Sequence, residues 1–177
     1  MQLHIQLNQN DEYIIKKFLK ELNLTKQKIN YFDNLAKLCI CSDKICNDLK
    51  KCGIEQRKTY TLKFPKNIPK ELFRHYVRGY FDGDGCVFIN DAYHNVVKYS
   101  CSSLKYLKSL KQRLEKDFNI ITNDKIASHK TYYELIYSRQ DSFRNYYSFF
   151  YKESTVYLKR KKTKFEKWNK WKKEDLY

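Results

Sequence analysis

Residues 72–85 have the sequence LFRHYVRGYFDGDG, and this stretch decides how the rest of the chain is interpreted. Its apolar side chains recur three and four positions apart, a spacing that predicts one apolar stripe along a helix. The chain has only 4 glycines, and three of them fall within this stretch: Gly79, Gly83 and Gly85. Glycine in a helix interior costs about 1 kcal/mol relative to alanine. We therefore expect a helix over residues 71–85 that packs closely on a second helix.

Two aspartates, Asp82 and Asp84, lie at the predicted end of this helix. The helix dipole disfavours negative charge at the C-terminus, so folding gives no reason for these acids. A hard cation such as Mg²⁺ would compensate the charge, whereas the alternative is a DG-rich turn with solvated acids. The apolar stripe, Gly79 and the position of the acids together favour the metal site.

The composition indicates a polyanionic partner. The 36 basic and 20 acidic residues give a net charge of +16, and 42% of the residues are hydrophobic. A foldable chain with such an excess of positive charge is typical of nucleic-acid-binding proteins. No apolar run approaches the roughly 18 residues of a membrane span, so we expect no membrane partner.

The first residues, MQLHIQLNQNDEY, lack the pattern of a secretory signal. We expect an intracellular, non-secreted protein, either organelle-encoded or acting in a phage or bacterial cytoplasm.

The sequence on either side of the quoted stretch predicts alternating strands and helices. QLHIQL at residues 2–7 alternates strictly, which predicts a half-buried strand with Gln2, His4 and Gln6 on its polar face. LCICSDKICNDL at 38–49 aligns loosely with LIYSRQDSFRNYY at 135–147. This similarity favours a duplicated strand–helix–strand–helix unit, although any alternating chain can be aligned this loosely.

VRGYFDGDG at 77–85 resembles the nine-residue motif of the LAGLIDADG homing endonucleases. It matches at Gly79, Asp82, Asp84 and Gly85, and it departs at Arg78. LKFPKNIPKELFRHY at 62–76 resembles the approach to a second motif in the intein- and intron-encoded members of the family. VYLKRKKTKF at 156–165 resembles their C-terminal lysine segment.

The resemblance implies an α+β fold built from αββαββα repeats, pseudo-duplicated with an incomplete first repeat. Residues 1–70 would form this partial repeat as strand, helix, strand and helix. Residues 71–177 would form the second repeat, with the motif helix at 71–85 and the basic segment at 156–173. The sheets would form a saddle that binds nucleic acid. Since the family uses two motif helices and this sequence contains one motif, we expect a homodimer or a partner that supplies the second motif helix.

The resemblance also assigns roles to individual residues. Asp84 would be the catalytic metal ligand, supported by Asp82. Lys159, in the basic C-terminal segment, would be the catalytic lysine that assists the transition state, with Lys161 as the next choice. Lys58 would be its counterpart in the first half. The side chains expected to pack the motif helix on its mate are Leu72, Tyr76, Gly79, Tyr80 and Gly83. The residues expected to contact nucleic acid are Gln2, His4, Gln6, Lys98, Ser100, Ser102, His129, Lys130, Arg139, Arg160, Lys161 and Lys162.

Two functions follow from these observations. The first is a site-specific homing endonuclease that makes Mg²⁺-dependent phosphodiester cuts in double-stranded DNA. The alternative is a non-catalytic nucleic-acid-binding protein on the same scaffold, either an RNA maturase or a structural RNA-binding component of a larger particle. The single motif and the 16 tyrosines, which can stack on unpaired bases, favour the alternative.

Overall fold

Antiparallel sheets covered on one face by helices organise the chain. The structure is a computed structural model, and it describes residues 1–54, 62–65, 68–90 and 94–174. It divides the chain into two compact units, Met1–Glu55 and Gln56–Tyr177. The described residues form one three-stranded and one four-stranded sheet, which confirms the expected α+β class.

The first unit contains a three-stranded sheet with strand order β1-β3-β2. Its elements are β1 (Gln2–Asn8), α1 (Glu12–Glu21), β2 (Ile29–Phe32), β3 (Leu35–Cys41) and α2 (Asp43–Lys51). Because the strand side chains alternate, β3 points every second residue at the helices. Ala36, Leu38 and Ile40 of β3 pack against Ile15 and Leu19 of α1 to form the core of the unit.

Strand β2 is absent from the sequence-based prediction, which has a single strand after the first helix. The strand is short and mostly exposed, so it lacks the alternating burial that identifies longer strands. Asp33 and Asn34 connect it to β3, with φ angles of 45° and 61°. Two successive residues with positive φ form the tight turn that suits a two-residue hairpin. The Asp-Asn pair was the available signal for this hairpin.

The second unit contains a four-stranded sheet with strand order β4-β5-β7-β6. Its core is unusually aromatic: the ring of Phe81 lies 5.1–6.4 Å from those of Tyr99, Tyr146, Tyr151 and Phe165. The elements are α3 (Lys70–Asp84), β4 (Gly85–Ile89), β5 (Asn95–Cys101), α4 (Leu104–Phe118), β6 (Ala127–Ser128), β7 (Tyr133–Tyr137), α5 (Gln140–Phe150) and α6 (Lys159–Glu174).

The connector before α3 packs against this second core through Leu62, Phe64 and Ile68. These residues fall within the segment 1–70 that the sequence analysis assigns to the first repeat. The boundary between repeats at residue 70 stays a prediction.

Gly85 joins α3 directly to β4, at the position expected for the helix C-cap. Its φ of −84° and ψ of 163° are extended rather than left-handed, so other residues could adopt this backbone. The constraint is steric. A Cβ at this position would lie 2.6 Å from Cε2 and 2.7 Å from Cγ of Phe81. The close approach of the chain to the Phe81 ring is therefore what requires glycine here.

Candidate functional site

The two aspartates at the end of α3 have different surroundings. The Asp84 carboxylate is exposed and makes no hydrogen bond to any described residue. Asp82 instead accepts hydrogen bonds from the Tyr151 hydroxyl at 2.5 Å and from the Leu158 backbone N–H at 2.9 Å. Burial raises the pKa of the Asp82 carboxyl, while these two hydrogen bonds act in the opposite direction. Asp82 thus anchors the segment between α5 and α6, and Asp84 is left facing solvent.

Lys161 caps the C-terminus of α3 from the first turn of α6. Its Nζ donates to the carbonyl oxygens of Phe81, of Asp82 at 2.9 Å and of Gly85 at 2.6 Å. The ammonium also lies 4.8 Å from the centre of the Phe81 ring. A cation at this end offsets the negative end of the helix dipole. Burial lowers the pKa of Lys161 to about 8, against the charge of Asp82, so the group is still mostly charged at neutral pH.

This placement corrects the expectation that Lys161 contacts nucleic acid. The side chain is only 4% exposed, and its three donors are directed at three carbonyl groups. Lys159, predicted as the catalytic lysine, lies two residues earlier on α6 and is exposed. Lys58, its predicted counterpart in the first half, lies outside the described residues.

Replacing Lys161 with methionine should lower the free energy of unfolding by about 3 kcal/mol, because it leaves buried carbonyl groups without their donor. Methionine keeps most of the side-chain volume, so the loss comes from the charge and its hydrogen bonds. The matched control is Lys108→Met, on an exposed position of α4. Chemical denaturation compares the two variants, and equal stability losses would contradict the capping role.

The face of α3 that was expected to pack on a second motif helix is only partly covered. Leu72 is 52% exposed, and among the described residues nothing lies within 4 Å of a Cβ placed on Gly79 or Gly83. Tyr76 and Tyr80 instead pack on the core of their own unit. The Tyr76 and Tyr106 hydroxyls are 2.6 Å apart, and the Tyr80 and Tyr106 rings are 4.9 Å apart.

Arg78, where the sequence departs from the nine-residue motif, is buried. Its Nε donates to the carbonyl of Val156 at 2.7 Å, and Nη1 donates to that of Phe150 at 2.9 Å. Nη2 lies 2.9 Å from Nδ1 of His75. Arg78 therefore fastens the segment after α5 to the motif helix. The sequence offered no signal for this role, because the carbonyl partners lie more than 70 residues away.

The open face of the first sheet carries the predicted polar row. Gln2, His4 and Gln6 are all exposed on β1, as the alternation predicts. His4 Nε2 lies 3.1 Å from Oε1 of Gln2 and 3.9 Å from Sγ of Cys39, its cross-strand partner.

On the open face of the second sheet, some of the residues predicted to contact nucleic acid lie around an acidic residue that was not predicted, Glu134. Lys98 and Ser100 point outward from β5, while Ser102 follows the end of the strand. Glu134 of β7 accepts from Lys98 Nζ at 2.9 Å and from Ser100 Oγ at 3.4 Å. Nε2 of His129 lies 3.2 Å from the other carboxylate oxygen. The sequence analysis looked for basic and neutral donors and so passed over this acid.

The other residues predicted to contact nucleic acid are not part of the group around Glu134. Lys130 lies exposed at the tip of the β6–β7 hairpin. Arg139 forms an ion pair with Asp141 at 2.8 Å, and the Lys162 ammonium lies 4.2 Å from the centre of the Tyr157 ring. Arg160 is exposed on the first turn of α6.

The described residues contain no group of three His, Cys, Asp or Glu side chains that could hold a metal ion by themselves. Magnesium usually keeps several waters and binds one or two carboxylates together with phosphate oxygens. Asp84 fits this pattern as one exposed carboxylate, whereas Asp82 is already bonded within the fold.

None of the described helices has the length and hydropathy that a membrane span requires.

Comparison with known proteins gives a consistent result. Residues 71–149 match the family model of the LAGLIDADG-like domain. The fold is similar to that of the LAGLIDADG meganuclease I-CpaMI bound to uncleaved DNA, with TM-score 0.63 and 13% identity over 96% of this chain and 79% of that chain. I-AabMI bound to uncleaved DNA gives TM-score 0.60 and 16% identity over 96% of this chain and 79% of that chain.

A further similar structure is full-length DUF199/WhiA from Thermatoga maritima. It gives TM-score 0.54 and 15% identity over 94% of this chain and 52% of that chain. Among curated protein sequences, none matches this chain significantly. At sequence identities this low, the structural similarity shows a shared fold and nothing beyond the fold.

Proposed function

Because residues 71–149 match the family model of the LAGLIDADG-like domain and the fold is similar to that of LAGLIDADG meganucleases, we propose that this protein is a homing endonuclease that cuts double-stranded DNA at a specific site with Mg²⁺. The observation that carries the proposal is the pair of aspartates at the end of α3. Asp82 is bonded within the fold, while Asp84 is exposed and without a described partner.

Asp84 would hold a divalent cation through a carboxylate oxygen. The cation would supply a more acidic water and charge stabilisation at the phosphate. Lys161 holds the last turn of α3 and the start of β4 in place, which fixes the position of Asp84 between them. Lys159, exposed on α6, is proposed to contact the phosphate as it gains charge, and Lys58 is proposed for the same role in the first half.

Double-stranded DNA is the proposed partner. The similar meganucleases are complexes with DNA, and the charge of +16 favours a polyanion. Each sheet presents an open face with polar side chains, including Gln2, His4 and Gln6 on β1 and Lys98 and Ser100 on β5. Such side chains have the donors and acceptors that base edges in the major groove require.

We further propose that a second copy of this chain supplies the second motif helix. The support comes from Leu72, which is 52% exposed, and from the open space beside Gly79 and Gly83. Two such faces related by a two-fold axis would bring their backbones close together and place one Asp84 from each copy near the other.

Gly79→Ala tests this arrangement. Nothing among the described residues lies within 4 Å of the added Cβ, so the monomer should gain about 1 kcal/mol from the better helix former. The same methyl group should weaken self-association on this face. Denaturation at low protein concentration measures the first effect, and sedimentation over a range of concentrations measures the second. A more stable monomer that associates as well as the parent would place the partner elsewhere.

A non-catalytic nucleic-acid-binding protein is the second candidate. It is favoured by the single exposed acid at the end of α3 and by the lack of a self-contained metal site among the described residues. The partner in this case would be RNA, as for a maturase or a structural component of a larger particle.

The deciding experiment incubates the protein with a randomised duplex-DNA library in Mg²⁺ or in EDTA and sequences the ends. Enrichment of one sequence at new ends, only in Mg²⁺, is the result expected for the endonuclease. Binding of intact duplex without new ends would indicate a protein that binds DNA and does not cut it. Preferential binding of a structured RNA competitor would favour the second candidate.

A further inference from the structure

One acidic side chain lies within the open face of the strongly basic second unit. Glu134 is on β7, between β5 and β6, and it directly faces Ser100 on one side and Ala127 on the other. Its carboxylate accepts from Lys98 and Ser100 and lies beside His129. An acid on a surface that binds nucleic acid repels phosphates, so its presence there needs a reason other than affinity.

The four side chains form what we call the Glu134 cluster: Lys98, Ser100, His129 and Glu134. The Glu134 side chain is 12% exposed and that of Lys98 is 35% exposed, so the acid lies below and the ammonium is accessible. An ammonium has three donors, and one is directed at Glu134. Two donors of Lys98 are therefore available to a ligand above the sheet.

Lys98 is also held in place, unlike a lysine that serves as a mobile point charge. Glu134 fixes its Nζ at 2.9 Å, and Ser100 and His129 hold Glu134 in turn. β5 lies between β4 and β7, and Lys98 faces Cys86 on one neighbour and Ile136 on the other. It is therefore on an interior strand of the sheet.

We propose that Lys98 recognises a guanine in the major groove of the target, and that Glu134 is the positioning residue that makes this recognition possible. Guanine presents two acceptors, O6 and N7, to one lysine or arginine, and no other base presents this pair. The two remaining donors of the fixed ammonium match these two acceptors. The inference depends on the duplex-DNA binding of the proposed function and does not require cleavage.

A phosphate contact is the competing role for Lys98, and the two roles give different measurements. Loss of a phosphate contact weakens binding to all sequences about equally. It also reduces the slope of log binding constant against log salt concentration by about one. Loss of a base contact weakens binding only to sites that contain the recognised base.

The experiment selects bound duplexes from a randomised library in EDTA, at two salt concentrations, with the full chain. The variants are Lys98→Met, Lys98→Arg and Glu134→Gln, with Lys108→Met on exposed α4 as the control. Circular dichroism confirms that each variant is folded. For Lys98→Met we expect guanine preference at one position of the site to fall on the order of tenfold, with the salt dependence unchanged.

The other variants separate the two parts of the inference. Lys98→Arg should keep the guanine preference, because arginine also donates two hydrogen bonds to O6 and N7. Glu134→Gln should bind random duplex more tightly, since a negative charge is gone. It should nevertheless lose guanine preference, because the ion pair that fixes Lys98 is replaced by a weaker neutral hydrogen bond. Lys108→Met should leave every base preference as in the parent.

Four results would overturn the inference. A uniform loss of affinity in Lys98→Met, with a smaller salt dependence, would make this lysine a phosphate contact. A full guanine preference in Glu134→Gln would remove the positioning role. If the parent enriches no duplex sequence at all, the proposed function fails, and the inference fails with it; an enriched site that is unaffected by all Lys98 and Glu134 variants refutes the inference alone.

Discussion

Asp84→Asn is expected to reduce cleavage of the target DNA on the order of a hundredfold or more, while the variant binds that target at least as tightly as the parent. Asparagine keeps the shape of the side chain but loses the negative charge that a hard cation requires. Because the Asp84 carboxylate is exposed and has no hydrogen bond to a described residue, the substitution should not lower the free energy of unfolding. Cleavage is followed by product formation in Mg²⁺, and binding is measured in EDTA.

Asp82→Asn is the matched control, two residues away on the same helix. Asp82 accepts hydrogen bonds from Tyr151 and Leu158, so this variant should lower stability as well as activity. The two aspartates are therefore distinguished by denaturation before any activity is measured. Cleavage by Asp84→Asn at the rate of the parent would exclude Asp84 as the metal ligand.

Gly85→Ala should lower the free energy of unfolding by about 3 kcal/mol, although alanine suits the backbone angles of this residue. The added Cβ would lie 2.6 Å from Cε2 of Phe81, and that ring is completely buried among four other aromatic rings. Neither group can move without displacing the core. Thermal and chemical denaturation measure the loss.

A double variant identifies the cause. Phe81→Leu creates space beside residue 85, so the loss caused by Gly85→Ala should be smaller in that background than in the parent. Gly79→Ala, where the Cβ has open space among the described residues, is expected to change stability in the opposite direction. Equal losses from Gly85→Ala in both backgrounds would show that the Phe81 ring is not the obstacle.

Local pattern was enough to predict the elements whose apolar faces are long. The spacing from Leu72 to Phe81 predicted α3, and the alternation of QLHIQL predicted β1 with Gln2, His4 and Gln6 outward. β2 was missed because four mostly exposed residues carry little periodic information. The Asp33-Asn34 turn, whose positive φ angles fix the hairpin, was the better signal.

The candidate site could be predicted only in part, because its internal partners come from distant segments. The motif identified both aspartates and the resemblance gave them different roles, but the sequence could not reveal the partners of Asp82, which are Tyr151 and Leu158. The lysine-rich run could not show that Lys161 turns inward to the carbonyls at the end of α3. Glu134 was passed over since its importance depends on cross-strand neighbours.

The attachment of the segment 150–158 to α3 has a consequence for protein engineering. Arg78 bonds to the carbonyls of Phe150 and Val156, and Asp82 bonds to Tyr151 and the N–H of Leu158. A transplanted motif helix that lacks an arginine at position 78 would leave the carbonyls of Phe150 and Val156 without this donor. Chimeras of this protein should therefore exchange the helix and the segment 150–158 together, as one cassette.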